Sequence, residues 1–240
     1  MMSITLALFL VGSYLLGSIP FGLWIALWTK GVDVRTLGSG NIGATNVTRV
    51  CGPVIGRLVF VLDFLKGLVP PLVGRYVLHL DRPDSHWPVL GALHLIRPDS
   101  RWIVLGALLA ILGHNFSVFL RFQGGKGIST SGGALLGAAP SVGVGVGVVF
   151  LLFMLVSSTI SLGSVAAAAS LPFLMWWLYP HDWYQLAFAV AASVMALYKH
   201  RKNIERLRAG TEPRIHLFGR RAGPPDSAPP DKKEDLPDEG

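Results

Sequence analysis

Six apolar segments run through this chain, at residues 4–28, 53–80, 102–120, 128–156, 158–179 and 183–198. Each reaches or approaches the roughly 20 residues that an α-helix needs to cross the hydrocarbon of a bilayer. Half of the 240 residues are apolar, which fits an all-α, polytopic membrane protein better than a soluble domain. The net charge of +7 agrees once the positions are read, because the lysines and arginines stand at segment ends and in the connecting loops. That is the distribution of the positive-inside rule; it argues against a nucleic-acid-binding face. A single cysteine, Cys51, excludes an intrachain disulfide framework and a cysteine-built metal site, and reads as a small filler near a membrane boundary.

The ends of the chain follow the same logic. The first apolar run has no basic region before it and is too long for a signal-peptide core, so it reads as a retained span. Trp24, Trp28 and Lys30 close it as interfacial anchors would. Residues 219–240 are rich in proline, aspartate and lysine and hold little that could pack, so a disordered cytoplasmic tail is expected after one transmembrane domain at residues 1–218.

Three polar segments carry the chemistry. In the first, residues 38–49, Gly38, Gly40 and Gly43 allow backbone N–H groups to approach an anion. Ser39, Asn41, Thr45 and Asn46 add neutral hydrogen-bonding groups, and Arg49 can clamp a phosphate. The bland alternative is a polar loop capping the next helix. In the second, Gln123-Gly-Gly-Lys-Gly-Ile-Ser-Thr130 has the character of a phosphate loop: Gly124, Gly125 and Gly127 supply backbone, Lys126 a point charge, and Ser129 and Thr130 open the next helix. It is not a Walker A motif. His114, just before it, is as readily structural as catalytic. In the third, His200 and Asn203 project from one helical face directly below the last span, with Glu212 following; a basic surface helix that merely binds acidic lipid heads is the alternative. Within the second span, Asp63 and Lys66 stand three residues apart and can pair, either as a functional charge pair or as a salt bridge that fixes helix packing.

Parity decides how many spans there are. Residues 128–156 are long for one crossing and short for two, and Pro140 lies inside them. One helix there would place the third polar segment opposite the first two. A break at Pro140 gives seven spans and brings all three segments to one face. The basic residues make that face cytoplasmic, with the N-terminus outside and the C-terminus inside.

Residues 79–93 and 94–108 are a tandem duplication, HLDRPDSHWPVLGAL followed by HLIRPDSRWIVLGAL. It reads as an inserted external loop. Each copy spells H-x4-D, at His79 with Asp84 and at His94 with Asp99, a signature of acyl-CoA-dependent acyltransferases. Both fall on the outer face, where no acyl-CoA is available, so both are read as decoys.

Taken in order, residues 16–22 (LGSIPFG), 38–49, 63–67 (DFLKG), 113–115 (GHN), 124–127 (GGKG), 200–203 (HRKN) and 210–212 (GTE) resemble the acyl-phosphate-dependent glycerol-3-phosphate acyltransferases of bacteria. The resemblance implies transfer of an acyl chain from acyl phosphate to the 1-hydroxyl of glycerol 3-phosphate, giving lysophosphatidate and phosphate. It further implies seven spans, a cytoplasmic active site in the inner membrane, a monomer working amid membrane lipid, and no cofactor. By that resemblance Ser39, Arg49, Lys126, His200, Asn203 and Glu212 form the active site, and the glycines of residues 124–127 bind the acceptor's phosphate. A transporter of phosphate or phosphorylated solutes is the alternative reading; it predicts inverted repeats between two halves, and the sequence has none beyond the short duplication. Deleting residues 79–93 is expected to leave acyl transfer largely intact, measured as phosphate release by the purified deletion protein beside the full chain.

Overall fold

The computed structural model describes residues 4–80 and 101–214, and among these residues all regular structure is helical. The expected first span is a bent pair. Helix α1 (Ile4–Ser18) and α2 (Phe21–Lys30) meet at 41°. Pro20 is the reason, since it lacks an N–H and disfavours helical geometry at Ile19 before it. Gly31, at φ 66°, ends α2 by donating its N–H to the Leu27 carbonyl.

The first polar segment is not wholly loop, because residues 44–51 form the short helix α3 (Ala44–Cys51). Gly52 at φ 94° then turns the chain into α4 (Pro53–Leu72), whose first residue is a proline that needs no N–H partner there. Pro70 and Pro71 sit in its last turn, and the backbone beyond loosens into a π-turn, Val73–Val77.

Helix α5 (Arg101–Asn115), a 3-10 turn (Val118–Leu120), α6 (Ile128–Ala138), α7 (Pro140–Ser157), α8 (Ile160–Leu178), α9 (Trp183–Lys199) and α10 (Arg201–Arg208) complete the bundle. The break expected at Pro140 is present. A Cβ placed on Gly143 would lie 2.9 Å from the Leu136 nitrogen, an approach that residues seven apart in a continuous helix never make, so the chain reverses direction there. Helices α7 and α8 and the stretch Arg101–Leu120 are long and apolar enough to cross a membrane, and α1 with α2 makes a fourth if the bent pair is one span. In α7 only Val142 is buried. Val144, Val148, Leu151, Leu152, Phe153, Leu155 and Val156 face outward, as lipid-facing side chains do.

Two backbone crossings hold the bundle. Where α1 passes α5, a Cβ on Gly17 would lie 2.1 Å from the Ala110 carbonyl oxygen, and one on Gly113 2.2 Å from that of Tyr14. Where α4 passes α6, a Cβ on Gly67 would lie 2.0 Å from the Thr130 oxygen, and one on Gly133 2.0 Å from the Phe64 oxygen. Small residues at crossings let helices approach closely where water supplies no hydrophobic drive between them. Because α6 meets α4 at Phe64 and Gly67, the start of α6 lies partway along α4, about 15 Å from the latter's first residue at ~1.5 Å per residue. The α5–α6 loop is thereby drawn into the bundle.

The two H-x4-D matches, save for His79, and the expected C-terminal tail lie outside the described residues. Gly67→Ala is expected to destabilise the protein by about 1–3 kcal/mol through overpacking. Gly147→Ala, with nothing within 4 Å of the new methyl, is expected to be neutral or stabilising. Thermal unfolding of both variants in detergent checks the pair.

Candidate active site

A cavity of about 590 Å³ opens where the three polar segments meet. Its walls take Ser39, Asn41, Thr45 and Arg49 from the first segment, Lys126, Gly127 and Ser129 from the second, and His200, Asn203 and Glu212 from the third. Asp63 and His114 reach it from α4 and α5, and Phe60, Phe150, Met154 and Ile160 make an apolar side. Segments more than 70 residues apart in sequence therefore share one chamber, polar on one side and greasy on the other.

Asn46 organises the first segment. Its amide nitrogen donates to the carbonyls of Val34 and Leu37, both at 3.0 Å. Its oxygen accepts from the Ser39 N–H at 2.8 Å and from Arg49 Nη1 at 3.3 Å. Gly38 is required beside it, with φ 58° and a hypothetical Cβ only 2.4 Å from that same oxygen. Asn46 thus works as a buried hub that presents Ser39 and Arg49 to the cavity. Asn41 serves the next turn, accepting from the Gly43 N–H at 2.8 Å. Gly40 has φ 68° and stands outside the cavity.

The second segment is seated on the end of α5. Gly125 N–H donates to the His114 carbonyl at 3.0 Å. A Cβ on Gly124 would lie 2.0 Å from that carbonyl oxygen, and one on Gly127 2.4 Å from Asn115 Oδ1. Gly124 and Gly125 do not line the cavity; Lys126 and Gly127 do. Thr130 is fully buried, hydrogen-bonded to His114 Nδ1 at 3.1 Å. Asp63 and Lys66 form the buried ion pair that their spacing allows, at 2.8 Å, and Lys66 also donates to the Ile19 carbonyl at 2.7 Å, at the bend between α1 and α2. Lys66 is not part of the cavity wall.

The third segment closes a network around Glu212. Asn203 Nδ2 donates to Glu212 Oε1 and to Ser161 Oγ, each at 2.7 Å, and Ser161 in turn donates its hydroxyl to Glu212. Arg206 Nε donates to the other carboxylate oxygen at 2.7 Å. Asn203 Oδ1 accepts from Lys126 Nζ at 2.6 Å, which joins the third segment to the second. Burial pushes the Glu212 carboxyl up, but the hydrogen bonds from Ser161, Arg206 and Asn203 outweigh it and hold the group below the usual glutamate range. Burial, with Arg206 adding repulsion, holds Lys126 below the usual lysine range, while Glu212 opposes the shift.

His200 sits between α9 and α10. A carbonyl can only accept, so its 2.8 Å contact with the Ala196 oxygen places the proton on Nδ1 and leaves the Nε2 lone pair available. Burial lowers its pKa to about 4, so the ring is neutral near pH 7.

Ser161 and Arg206 complete the network, yet neither stands out in the sequence. Ser161 is one serine in the apolar run of α8, and Arg206 is one of several basic residues on α10. The signal for Ser161 was a hydroxyl in the first turn of a span, next to the interface. Removing the acceptor at Glu212→Ala strands Asn203 and Arg206, and is expected to cost about 2 kcal/mol or more. Ser161→Ala should cost less, because the carboxylate keeps Asn203 and Arg206; thermal unfolding in detergent compares the two.

With this geometry in hand, the chain matches the family model described as glycerol-3-phosphate acyltransferase over residues 7–210. It is 40% identical over 203 residues to the glycerol-3-phosphate acyltransferase of Geotalea daltonii, covering 85% of this chain and 94% of that one. To that of Listeria welshimeri it is 39% identical over 215 residues, covering 89% and 98%. Among solved structures it is similar to the integral membrane glycerol 3-phosphate acyltransferase PlsY in its glycerol 3-phosphate form. The TM-score is 0.75 at 37% identity, over 88% of this chain and 96% of that one. The lysophosphatidic acid form of that enzyme gives a TM-score of 0.73 at 36% identity. From the polar chamber to the order of its motifs, the chain belongs to the PlsY-type glycerol-3-phosphate acyltransferase family.

Proposed function

We propose that this protein transfers a fatty acyl chain from an acyl phosphate to the sn-1 hydroxyl of glycerol 3-phosphate, releasing lysophosphatidate and inorganic phosphate. The observation that carries the reading is the convergence of Arg49, Lys126 and Arg206 from three separate segments on a cavity with one apolar side. Two phosphate-bearing substrates need cations, and an acyl tail needs grease. An acyl phosphate is a mixed anhydride, so no covalent nucleophile on the protein is required. The acceptor hydroxyl oxygen attacks the carbonyl carbon, and the bond from that carbon to the phosphate oxygen breaks. The bonding electrons leave with the phosphate. Arg49 and Lys126 stabilise the charge that accumulates there, in a partly buried site where fixed cations act more strongly than in water. Ser39 and His200 orient the attacking hydroxyl, Asn203 holds Lys126 in place, and Gly127, Ser129 and Thr45 frame the phosphates.

The hydroxyl proton needs an acceptor. A base works best with a pKa near the operating pH, and His200 falls well short of that at about 4. A phosphate oxygen of the donor is the better acceptor, and it leaves as hydrogen phosphate. His200 then serves through its Nε2 lone pair, which accepts the hydroxyl's hydrogen bond and aims its oxygen.

The reversal at Pro140 supports seven spans, with α6 a short crossing buried against α4. Seven spans would place the cavity on the cytoplasmic face of a bacterial inner membrane, with the N-terminus outside and the C-terminus inside. The enzyme is proposed to work as a monomer without a cofactor, and the product's acyl chain would stay in the lipid.

Purified protein given palmitoyl phosphate and glycerol 3-phosphate is expected to release phosphate and lysophosphatidate. Turnover only with a matched acyl-CoA, or none with either donor, would sink the proposal. A second measurement concerns His200. Its pKa is lowered on folding, from 6.5 to about 4, so the unfolded chain binds the extra proton first as pH falls. Its contribution to stability is complete above pH 6.5 and is lost between 6.5 and 4. The melting temperature in detergent should drop across that window, and His200→Asn should flatten part of the drop.

A further inference from the structure

At the floor of the cavity an aspartate and a histidine lie side by side, the arrangement of an acid–base dyad. Asp63 Oδ1 is 3.6 Å from His114 Nδ1, and both side chains are buried. The surroundings of the ring point to a different use. Nδ1 is hydrogen-bonded to Thr130 Oγ1 at 3.1 Å. The opposite edge lies against Gly125, where a single added methyl would be 2.3 Å from Nε2. One nitrogen is engaged and the other lies against the Gly125 backbone, which suits the ring to support that backbone.

What rests on the ring is the phosphate loop. Gly125 lies on its Nε2 edge and is tied by its own N–H to the His114 carbonyl. Lys126 is the next residue, and consecutive Cα atoms are fixed about 3.8 Å apart. Any change in the tilt or height of the imidazole therefore moves the Lys126 ammonium, which must reach Asn203. The ring is held from two sides: Thr130 on α6 holds Nδ1, and Asp63 on α4, itself anchored by Lys66, flanks it. This arrangement also gives the glycine at 125 a second physical purpose. It has no side chain because the imidazole occupies that space.

We infer that His114, braced by Thr130 and Asp63, is a positioning residue: a platform that sets the height of the Lys126 loop and thereby the apparent affinity for the phosphate-bearing acceptor. The inference rests on the proposed reading of the cavity as the glycerol 3-phosphate site. It assigns the α4 charge pair a role that acts through the loop.

The test is a suppressor experiment. Gly125→Ala forces a methyl into the ring and is expected to raise KM for glycerol 3-phosphate about ten- to a hundredfold, the cost of a misplacement near an ångström. Combining it with His114→Ser empties the space, and the double variant should bind glycerol 3-phosphate better than Gly125→Ala alone. If Gly125 is glycine only so that a ligand can approach its backbone, the double variant will be no better than the single one, and the inference is overturned. Thr130→Val keeps the shape and removes the hydrogen bond; it should raise KM for glycerol 3-phosphate while kcat stays within about threefold. A fall in kcat with KM unchanged counts against the platform. Should the His114 variants fail to fold in detergent, Thr130→Val decides alone, with Thr130→Ser expected to restore KM. Binding is read in parallel as the melting-temperature shift produced by inorganic phosphate, without any acyl donor. If the wild-type protein is shifted by phosphate yet turns over no acyl phosphate, the functional proposal fails, and the platform is still decided by the shifts of these variants.

Discussion

The site depends on the close crossing of α4 and α6. At Gly67 and Gly133 the two backbones approach so nearly that one added methyl on either side would strike a carbonyl oxygen. Such contact is useful inside a membrane, where apolar side chains are as comfortable in lipid as against each other and association relies on packing. The crossing brings the first turn of α6 to the middle of α4. The loop before α6, with Lys126, is thereby drawn in to meet Asn203. A wider crossing would leave Lys126 at the surface, where water would weaken its hold on an anion.

Charge inside the chamber is organised by one carboxylate. Glu212 takes hydrogen bonds from Ser161, Asn203 and Arg206, and it fixes the Asn203 amide so that its oxygen faces Lys126. The arrangement keeps Arg206 paired and ties Lys126 to Asn203, while Arg49 reaches the chamber from the first segment. A buried network of this kind is sound only when its members are all satisfied. Here Asn203 uses both donors and its acceptor, which explains why an asparagine, with its neutral amide, suits that position.

Much of the architecture was legible because its causes are local. Apolar runs of span length announce helices, Pro140 announces a break, and the three-residue spacing of Asp63 and Lys66 announces a pair on one face; all are present. The bend at Pro20 was legible in principle, since proline removes the same hydrogen bond there, but the uninterrupted hydropathy of residues 4–28 hid it. In the site, the residues that carry charge or polarity in the three motifs were legible by type. Ser161 was hidden, because a hydroxyl in an apolar run looks like any small membrane residue until the chain folds Glu212 onto it. The glycines misled in a more instructive way. Their density suggested backbone open to an anion, whereas Gly124 and Gly125 are small chiefly because the end of α5 fills the space a side chain would need.

The amino-acid sequence by itself determined an all-helical membrane protein, the family to which it belongs, and most of the polar side chains that line its chamber. Each of these is written in hydropathy, in spacing or in residue type, and needs no knowledge of what lies across the bundle. Only the tertiary structure decided which polar groups are spent on holding others in place. Asn46 and His114 carry chemistry as capable as that of Asn203 and His200, yet one fastens a loop and the other sits beneath a glycine. The reason is physical: a polar side chain's role is set by the partners that satisfy it, and those partners come from segments far away along the chain.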